Sequence, residues 1–254
     1  MVTVGIDVGS KTCKAVVVRD GQVAGKGKVA TGFGPGNAAR QALAQALSEA
    51  GLTVEAVAEI AAIGAGKEAV DFASRRVSEI AAAARGGIWA FPSARTVIDV
   101  GAEEGRVLRL DPDGRVLDFV VNEKCAAGAG TFLESMARTL ETSVEELGRL
   151  ALEATQEVPI NAQCAVFAES EVVSLIHARV PKADIARAVH EAMAARISSL
   201  VRRVGVEREV VLIGGTARSV GLIESLRREL GVEVYVPHEP ELVSAIGAAL
   251  VAAG

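Results

Sequence analysis

Residues 4–18 read VGIDVGSKTCKAVVV and residues 96–110 read TVIDVGAEEGRVLRL. Each begins with an apolar run, passes through Ile-Asp-Val-Gly and a short polar turn, and resumes with a basic residue and a second apolar run. The register is constant: Ile6 maps onto Ile98 and Asp7 onto Asp99, an offset of 92 residues. Apolar runs on either side of a Gly-containing turn predict a β-hairpin in each copy. Residues 22–28 and 115–122 would add a third strand to each. Apolar spacing predicts helices over 35–50, 66–85, 130–152, 165–179, 183–204, 220–230 and 241–252. Short apolar strands are expected over 209–213 and 232–236, with breaks at Pro181 and Pro237. Strands alternating with helices in a duplicated order predict an α/β protein with mixed sheets, its two similar halves facing across a cleft. The first half is expected over 1–93 and the second over 94–240, with a last helix, 241–254, crossing back to the first.

The chain has 254 residues, half of them hydrophobic and 23% charged, which is ordinary for a globular protein and argues against disorder. A net charge of −5 with only 3% aromatic residues argues against a nucleic-acid partner and against base stacking. No apolar run approaches the ~18 residues that span a bilayer, and the start MVTVGIDVGS has neither a basic opening nor a signal-peptide core. No membrane partner and a cytoplasmic location are therefore expected. Three cysteines, Cys13, Cys125 and Cys164, are too few and too odd in number for a disulfide framework.

The hairpin turn Asp7-Val8-Gly9-Ser10-Lys11-Thr12 suits a phosphate-binding loop. Gly9 allows close backbone approach, and the N–H groups of residues 10–12 can point at phosphate oxygens. Asp7 would hold Mg²⁺ through water, since a carboxylate repels phosphate directly. A bare Asp-Gly hairpin turn is the bland alternative; the second copy, at Asp99, favours a clamp on a nucleotide from both sides. No Walker A motif is present. In Val211-Leu212-Ile213-Gly214-Gly215-Thr216-Ala217, paired glycines at a strand-to-helix junction admit a ribose or a flat ring. Cys125 precedes Ala126-Ala127-Gly128-Ala129-Gly130 and a helix, and Cys164 also stands at a helix entry. Thiolates there are favoured by the helix dipole and can hold a soft metal. Two are too few for a 4Fe–4S cluster, although a twofold dimer would supply four. By spacing alone, buried structural cysteines remain the simpler reading.

Together, GIDVGSKTCKAVV at 5–17, TVIDVG at 96–101, NEKCAAGAGTFLE at 122–134, CAVFAESEVVSLI at 164–176, GGTARSVGL at 214–222 and AIGAALVA at 245–252 resemble one family over essentially the whole chain. It comprises the ATP-dependent activators of 2-hydroxyacyl-CoA dehydratases and the related ATPase subunits of benzoyl-CoA reductases, within the sugar kinase, heat-shock protein 70 and actin superfamily. The resemblance implies a duplicated ribonuclease H-like, actin-like ATPase fold. It implies a homodimer sharing one 4Fe–4S cluster, with Cys125 and Cys164 at the ligand positions. It also implies ATP-driven transfer of one low-potential electron to a dehydratase or reductase iron–sulfur protein, with a ferredoxin or flavodoxin as donor. By position, Gly9, Ser10, Lys11 and Thr12 form the first phosphate loop, and Asp7 and Asp99 handle Mg²⁺ and water. Gly101 and Ala102 open the second loop. Gly128, Ala129 and Gly130 approach the ATP or ADP from behind the cluster helix, and Gly214, Gly215 and Ala217 flank ribose or adenine. Cys13 matches no ligand position and is expected to be buried. Lys67 is expected as a solvated helix-start lysine, and Glu169 as a helix-surface carboxylate without an assigned role.

The second loop departs from the family, which reads Asp-Ile-Gly-Gly-Gln-Asp where this chain has Asp99-Val100-Gly101-Ala102-Glu103-Glu104. A methyl at Ala102 crowds a phosphate. Glu103 puts a carboxylate near it, repulsive unless a cation compensates, or useful as a general base for water. The alternative to an ATP-hydrolysing electron donor is thus a catalytically weak relative that binds nucleotide or iron–sulfur as a regulator or scaffold. A small-molecule kinase of the same fold would have to treat both helix-entry cysteines as packing.

Overall fold

The computed structural model describes residues 1–122, 128–160 and 164–254. Cys125 lies outside the described residues. The chain opens with the expected antiparallel strands β1 (Val2–Val8), β2 (Thr12–Arg19) and β3 (Gln22–Ala30). A strand that the sequence pattern did not announce, β4 (Glu59–Ile63), pairs parallel to β1, and the two-residue β5 (Arg75–Arg76) pairs parallel to β4. The sheet order is β3-β2-β1-β4-β5. The second sheet contains β6 (Thr96–Val100), β7 (Gly105–Leu110), β8 (Val116–Asn122), β9 (Val210–Ile213) and β10 (Val234–Tyr235), in the order β8-β7-β6-β9-β10. The second order repeats the first strand for strand, so the duplication extends from the hairpins to the whole sheet.

Helix α1 (Pro35–Ala50) buries Ala38, Ala42, Leu43, Ala46 and Leu47 on the first sheet and stops at Gly51, which takes the left-handed conformation common at helix ends. The expected helix over 66–85 is not formed as such. A 3-10 turn at Lys67–Ala69 and β5 come first, and α2 (Glu79–Ala90) begins where the Ser78 side chain caps the Ala81 N–H. The expected helix over 130–152 is two helices, α3 (Gly130–Thr139) and α4 (Val144–Leu152). Glu141 adopts φ +50° between them, and Ser143 starts α4 by accepting from the Glu146 N–H. Helices α5 (Ala165–His177), α6 (Lys182–Val204) and α7 (Val220–Leu230) stand as expected to within a residue or two. They close the larger core over the second sheet, around Phe132, Leu133, Met136, Ile185, Val189 and Met193.

The last helix, α8 (Val243–Ala253), leaves the second sheet and covers the first. Val16, Val18, Ala245, Ile246 and Ala249 bury one another there, and Thr3 Oγ1 donates to Ala249 O at 2.8 Å. Helix α2, which follows the first sheet in sequence, buries Ala83 and Ala84 against Val97, Leu108, Val211 and Ile213 of the second. The two helices cross between the sheets at very short range. A Cβ at Gly247 would stand 1.8 Å from Ala82 O, so only glycine fits the crossing. The elements exchanged between the halves meet at this contact.

Candidate nucleotide cleft

The β1–β2 and β6–β7 turns open into one cleft of about 360 Å³. Its walls carry Asp7, Gly9, Ser10, Lys11, Thr12, Asp99, Gly101, Ala102, Glu103, Gly130, Gly214 and Gly215, twelve residues that sequence reading assigned to a nucleotide site. Gly128, Ala129 and Ala217 are not on the walls. Ala129 is fully buried behind α3, and Ala217 belongs to the core of the second half.

The two loops are built alike. Gly9 N donates to Thr12 O, and Gly101 N donates to Glu104 O. The Gly9 carbonyl is held from outside by Thr31 Oγ1 at 2.7 Å, and the Gly101 carbonyl by Gly130 N at 2.9 Å and Thr216 Oγ1 at 3.1 Å. In a planar trans peptide the next N–H points the opposite way. The N–H groups of Ser10 and Ala102, equivalent residues in the repeat, are thereby turned away from those anchors, as an anion-binding turn requires.

Each aspartate is pinned by the residue directly opposite on the neighbouring strand. Asp7 faces Lys14, whose Nζ is 2.9 Å from Asp7 Oδ2. Asp99 faces Arg106, whose Nη1 is 2.9 Å from Asp99 Oδ2. Burial works to lower the pKa of Lys14, but the charge and hydrogen bond of Asp7 outweigh it and the pKa is raised. For Arg106, burial is likewise outweighed by Asp99, Glu104 and Glu79, and the pKa is raised. The other oxygen of each carboxylate lies against a glycine that ends the parallel strand beside it. A Cβ on Gly64 would be 2.7 Å from Asp7 Oδ1, and one on Gly214 would be 2.7 Å from Asp99 Oδ1. Both glycines have φ near +90°, which a side chain would strain. Gly64 went unnoticed in the sequence, although AIGAG at 62–66 and LIGGT at 212–216 carried the signal.

Reading the sequence also missed Lys14, Arg106, Glu79, Glu241 and Ser244, which stand on the walls as well. Ser244 Oγ donates to Asp99 Oδ2 at 3.2 Å. Glu79 Oε1 accepts from Gly64 N and from Lys67 Nζ. Lys67 is therefore a half-buried ion-pair partner rather than the solvated lysine expected. Burial pushes the Glu241 carboxyl up, but Arg218 and Lys28 overcome it and hold it down at about 2. Seven carboxylates face four cations around the cleft, so an anionic ligand is favoured there only with a cation of its own. Among the described residues no three His, Cys, Asp or Glu side chains converge as a ready-made metal cage. Asp7 and Asp99, each with one oxygen already engaged, suit an ion that keeps its water shell, as Mg²⁺ does.

The cysteines separate clearly. Cys13, on β2, is fully buried in the core that α1 covers, and its thiol is pushed up to about 12 by burial and then by Asp7, which makes it inert. Cys164 is exposed and is the residue before α5. Val166 and Phe167 beside it are two-thirds exposed, and Val173 and Ile176 extend this uncovered apolar surface along the helix.

The sequence matches the BadF/BadG/BcrA/BcrD ATPase family over residues 4–252. The chain belongs to that family. Among solved structures, this ATPase-family chain is similar to the activator of the 2-hydroxyisocaproyl-CoA dehydratase from Clostridium difficile with bound ADPNP, with TM-score 0.93 at 38% identity, covering 99% of this chain and 94% of that one. It is similar to the (R)-2-hydroxyglutaryl-CoA dehydratase component A of Acidaminococcus fermentans, with TM-score 0.95 at 37% identity, covering 99% and 97%. A ROK family glucokinase from Streptomyces griseus shares the fold alone, with TM-score 0.62 at 16% identity over 100% and 99% of the chains. The duplicated actin-like ATPase fold that the resemblance implied, and that the repeat matches, is thus the fold of this ATPase-family chain. No helix among the described residues is long and apolar enough to cross a membrane.

Proposed function

We propose that this chain is a homodimeric iron–sulfur ATPase that uses ATP to drive single-electron transfer to a dehydratase-type or benzoyl-CoA reductase-type partner. The cleft carries the reading: two equivalent loops, each with a pinned aspartate, converge with Gly214 and Gly215 in the fold of a relative solved with ADPNP. In this proposal residues 1–93 with 241–254 form one jaw and 94–240 the other, except that α2 of the first stretch packs on the second sheet. Gly9, Ser10, Lys11 and Thr12 receive the phosphates from one side, Gly101 and Ala102 from the other, and Gly214 and Gly215 flank the sugar. Asp7 and Asp99 hold the hydration shell of Mg²⁺, while Lys14 and Arg106 keep both carboxylates aimed. Glu103, exposed at the cleft, accepts a proton from the attacking water.

Cys164, exposed before α5 beside an uncovered apolar surface, fits a soft-metal ligand at a seam between two copies. With Cys13 sealed in the core, one chain offers Cys125 and Cys164 only, so four thiolates require a second copy. A 4Fe–4S cluster held there supplies a one-electron carrier, which a ferredoxin or flavodoxin would reload. The experiment is anaerobic purification followed by iron and sulfide per dimer, with Mg·ADP binding by calorimetry. About four irons per dimer and a single nucleotide site per chain are expected. Colourless protein that binds Mg·ADP would leave the second reading, a nucleotide-binding regulator, and a small-molecule kinase of the same fold. Ala102 and Glu103 favour that reading, because they put a methyl and a carboxylate where the loop would meet phosphate.

A further inference from the structure

Lys11 reaches across the cleft. Its ammonium is paired with Glu134 on α3, in the opposite half of the molecule. The first turn of α3 is fixed to the second loop, since Gly130 N donates to Gly101 O at 2.9 Å and Thr131 N to Ala102 O at 2.8 Å. One and two helical turns beyond, Ser135 Oγ donates to Glu169 Oε2 at 3.2 Å and Thr139 Oγ1 donates to Glu169 Oε1 at 3.1 Å. Glu169 belongs to α5, the helix that Cys164 opens. It is not the plain surface carboxylate expected from sequence, because both of its oxygens are used to tie α5 to α3.

We infer that Lys11–Glu134 is a cross-cleft latch that a nucleotide phosphate opens, and that Glu169 is the positioning residue that carries the release of α3 to α5. The inference rests on the nucleotide reading of the cleft. A phosphate received by the first loop competes with Glu134 for the Lys11 ammonium, since both are anions and Lys11 is a single point charge. Once the pair separates, the Glu134 carboxylate stands near a like charge and is repelled. Helix α3 then loses its tie to the first loop while its bonds to the second loop and its core packing remain, and α5 follows it through two hydrogen bonds to one carboxylate. Nucleotide occupancy thereby biases the relative placement of the helices at which both Cys125 and Cys164 stand in sequence. A ligand can shift such an arrangement only by its differential interaction with the two states, and the exchanged partner of Lys11 supplies that difference.

The test is a double-mutant cycle on Mg·ADP affinity, measured by calorimetry on the full chain. Glu134→Gln should tighten Mg·ADP about threefold, the worth of a part-exposed ion pair. Lys11→Gln should weaken it about tenfold, the worth of a hydrogen bond to a charged group. In the double variant the gain from Glu134→Gln should vanish, and additive effects would overturn the latch. If the unmodified chain did not bind Mg·ADP, the nucleotide reading itself would fall, and the latch with it. For Glu169, hydrogen exchange is followed with and without ADPNP. Slowed or quickened exchange should reach both α3 and α5 in the unmodified chain but stop at α3 in Glu169→Ala and in the pair Ser135→Ala with Thr139→Val. Glu169→Gln, which keeps one acceptor, should restore part of the α5 response. An α5 response of full size in the variants would overturn the role of Glu169, and melting curves confirm that the variants stay folded.

Discussion

Arg106 holds Asp99 from the directly opposite position on the neighbouring strand, Nη1 to Oδ2 at 2.9 Å, and Lys14 holds Asp7 at the same distance 92 residues earlier. The duplication has preserved a cross-strand ion pair as well as a loop. Both partners in the second pair are largely buried, so removing one leaves an uncompensated charge. Arg106→Met is expected to cost about 3 kcal/mol of folding stability in urea titration, and to weaken Mg·ADP binding because Asp99 loses its orientation. Arg106→Lys should recover part of the stability.

Gly214 and Gly215 are adjacent but answer different demands. A Cβ at Gly214 would strike Val100 O at 2.3 Å, whereas one at Gly215 meets nothing within 4 Å. Gly214→Ala should destabilise the protein by more than about 2 kcal/mol. Gly215→Ala should leave the melting curve within about 0.5 kcal/mol of the parent yet reduce Mg·ADP affinity, because it intrudes only where the ligand sits. Equal losses of stability from both changes would contradict this division.

Glu103→Gln removes a carboxylate from the second loop and restores the residue usual in the resembled family. Mg·ADPNP affinity is expected to rise about fivefold, the scale of one like-charge interaction across water, and steady-state ATP turnover to fall about a hundredfold as the proton acceptor is lost. Turnover that rises with affinity would instead remove Glu103 from the chemistry and leave it as a carboxylate that only repels phosphate.

Cys164→Ser and Cys125→Ser should each abolish iron retention after anaerobic reconstitution, read by iron and sulfide analysis and by the brown absorbance. Cys13→Ser should leave iron unchanged and cost only stability, since its thiol sits in the apolar core of the first half.

His190 is fully buried on α6, between Ala186 O at 2.7 Å and Ser219 Oγ at 2.9 Å. Burial lowers its pKa from the ordinary 6.5 to about 4. The unfolded chain therefore binds a proton between pH 6.5 and 4 that the folded chain refuses. Its contribution is present above pH 6.5 and is lost as pH falls towards 4, by an amount on the order of 3 kcal/mol. Urea titrations from pH 7 to pH 4 should show this loss, and His190→Asn should flatten it.

The hairpins, their loops and the helices over 35–50, 183–204 and 220–230 were legible because each is specified by its own residues: alternating apolar runs, Gly turns and 3.6-residue spacing. Strand β4 was not, since Ala61 and Ala62 are weak strand formers and this strand exists because β1 lies beside it. The helix over 130–152 read as continuous because its apolar face persists through the break, while Glu141 and the Ser143 cap, which end one helix and start the next, are local signals. In the cleft, both aspartates and the glycines of the two loops, with Gly214 and Gly215, were found by motif, whereas Gly64 was not. Glu79, Glu241 and Ser244 were not, because their closeness to the loops comes from helices that start far away in the chain.

By itself, the amino-acid sequence determined that this protein is a duplicated α/β chain with two acidic Gly turns and a cysteine, Cys164, at a helix entry, because turns, periodicity and repeats are encoded by neighbours in sequence. Only the tertiary structure decided that α2 and α8 cross between the sheets, that Lys11 meets Glu134 and that Glu169 ties α3 to α5. Those relationships join residues tens to hundreds of positions apart. The energy that selects them is the burial of whole helix faces, which no local pattern records.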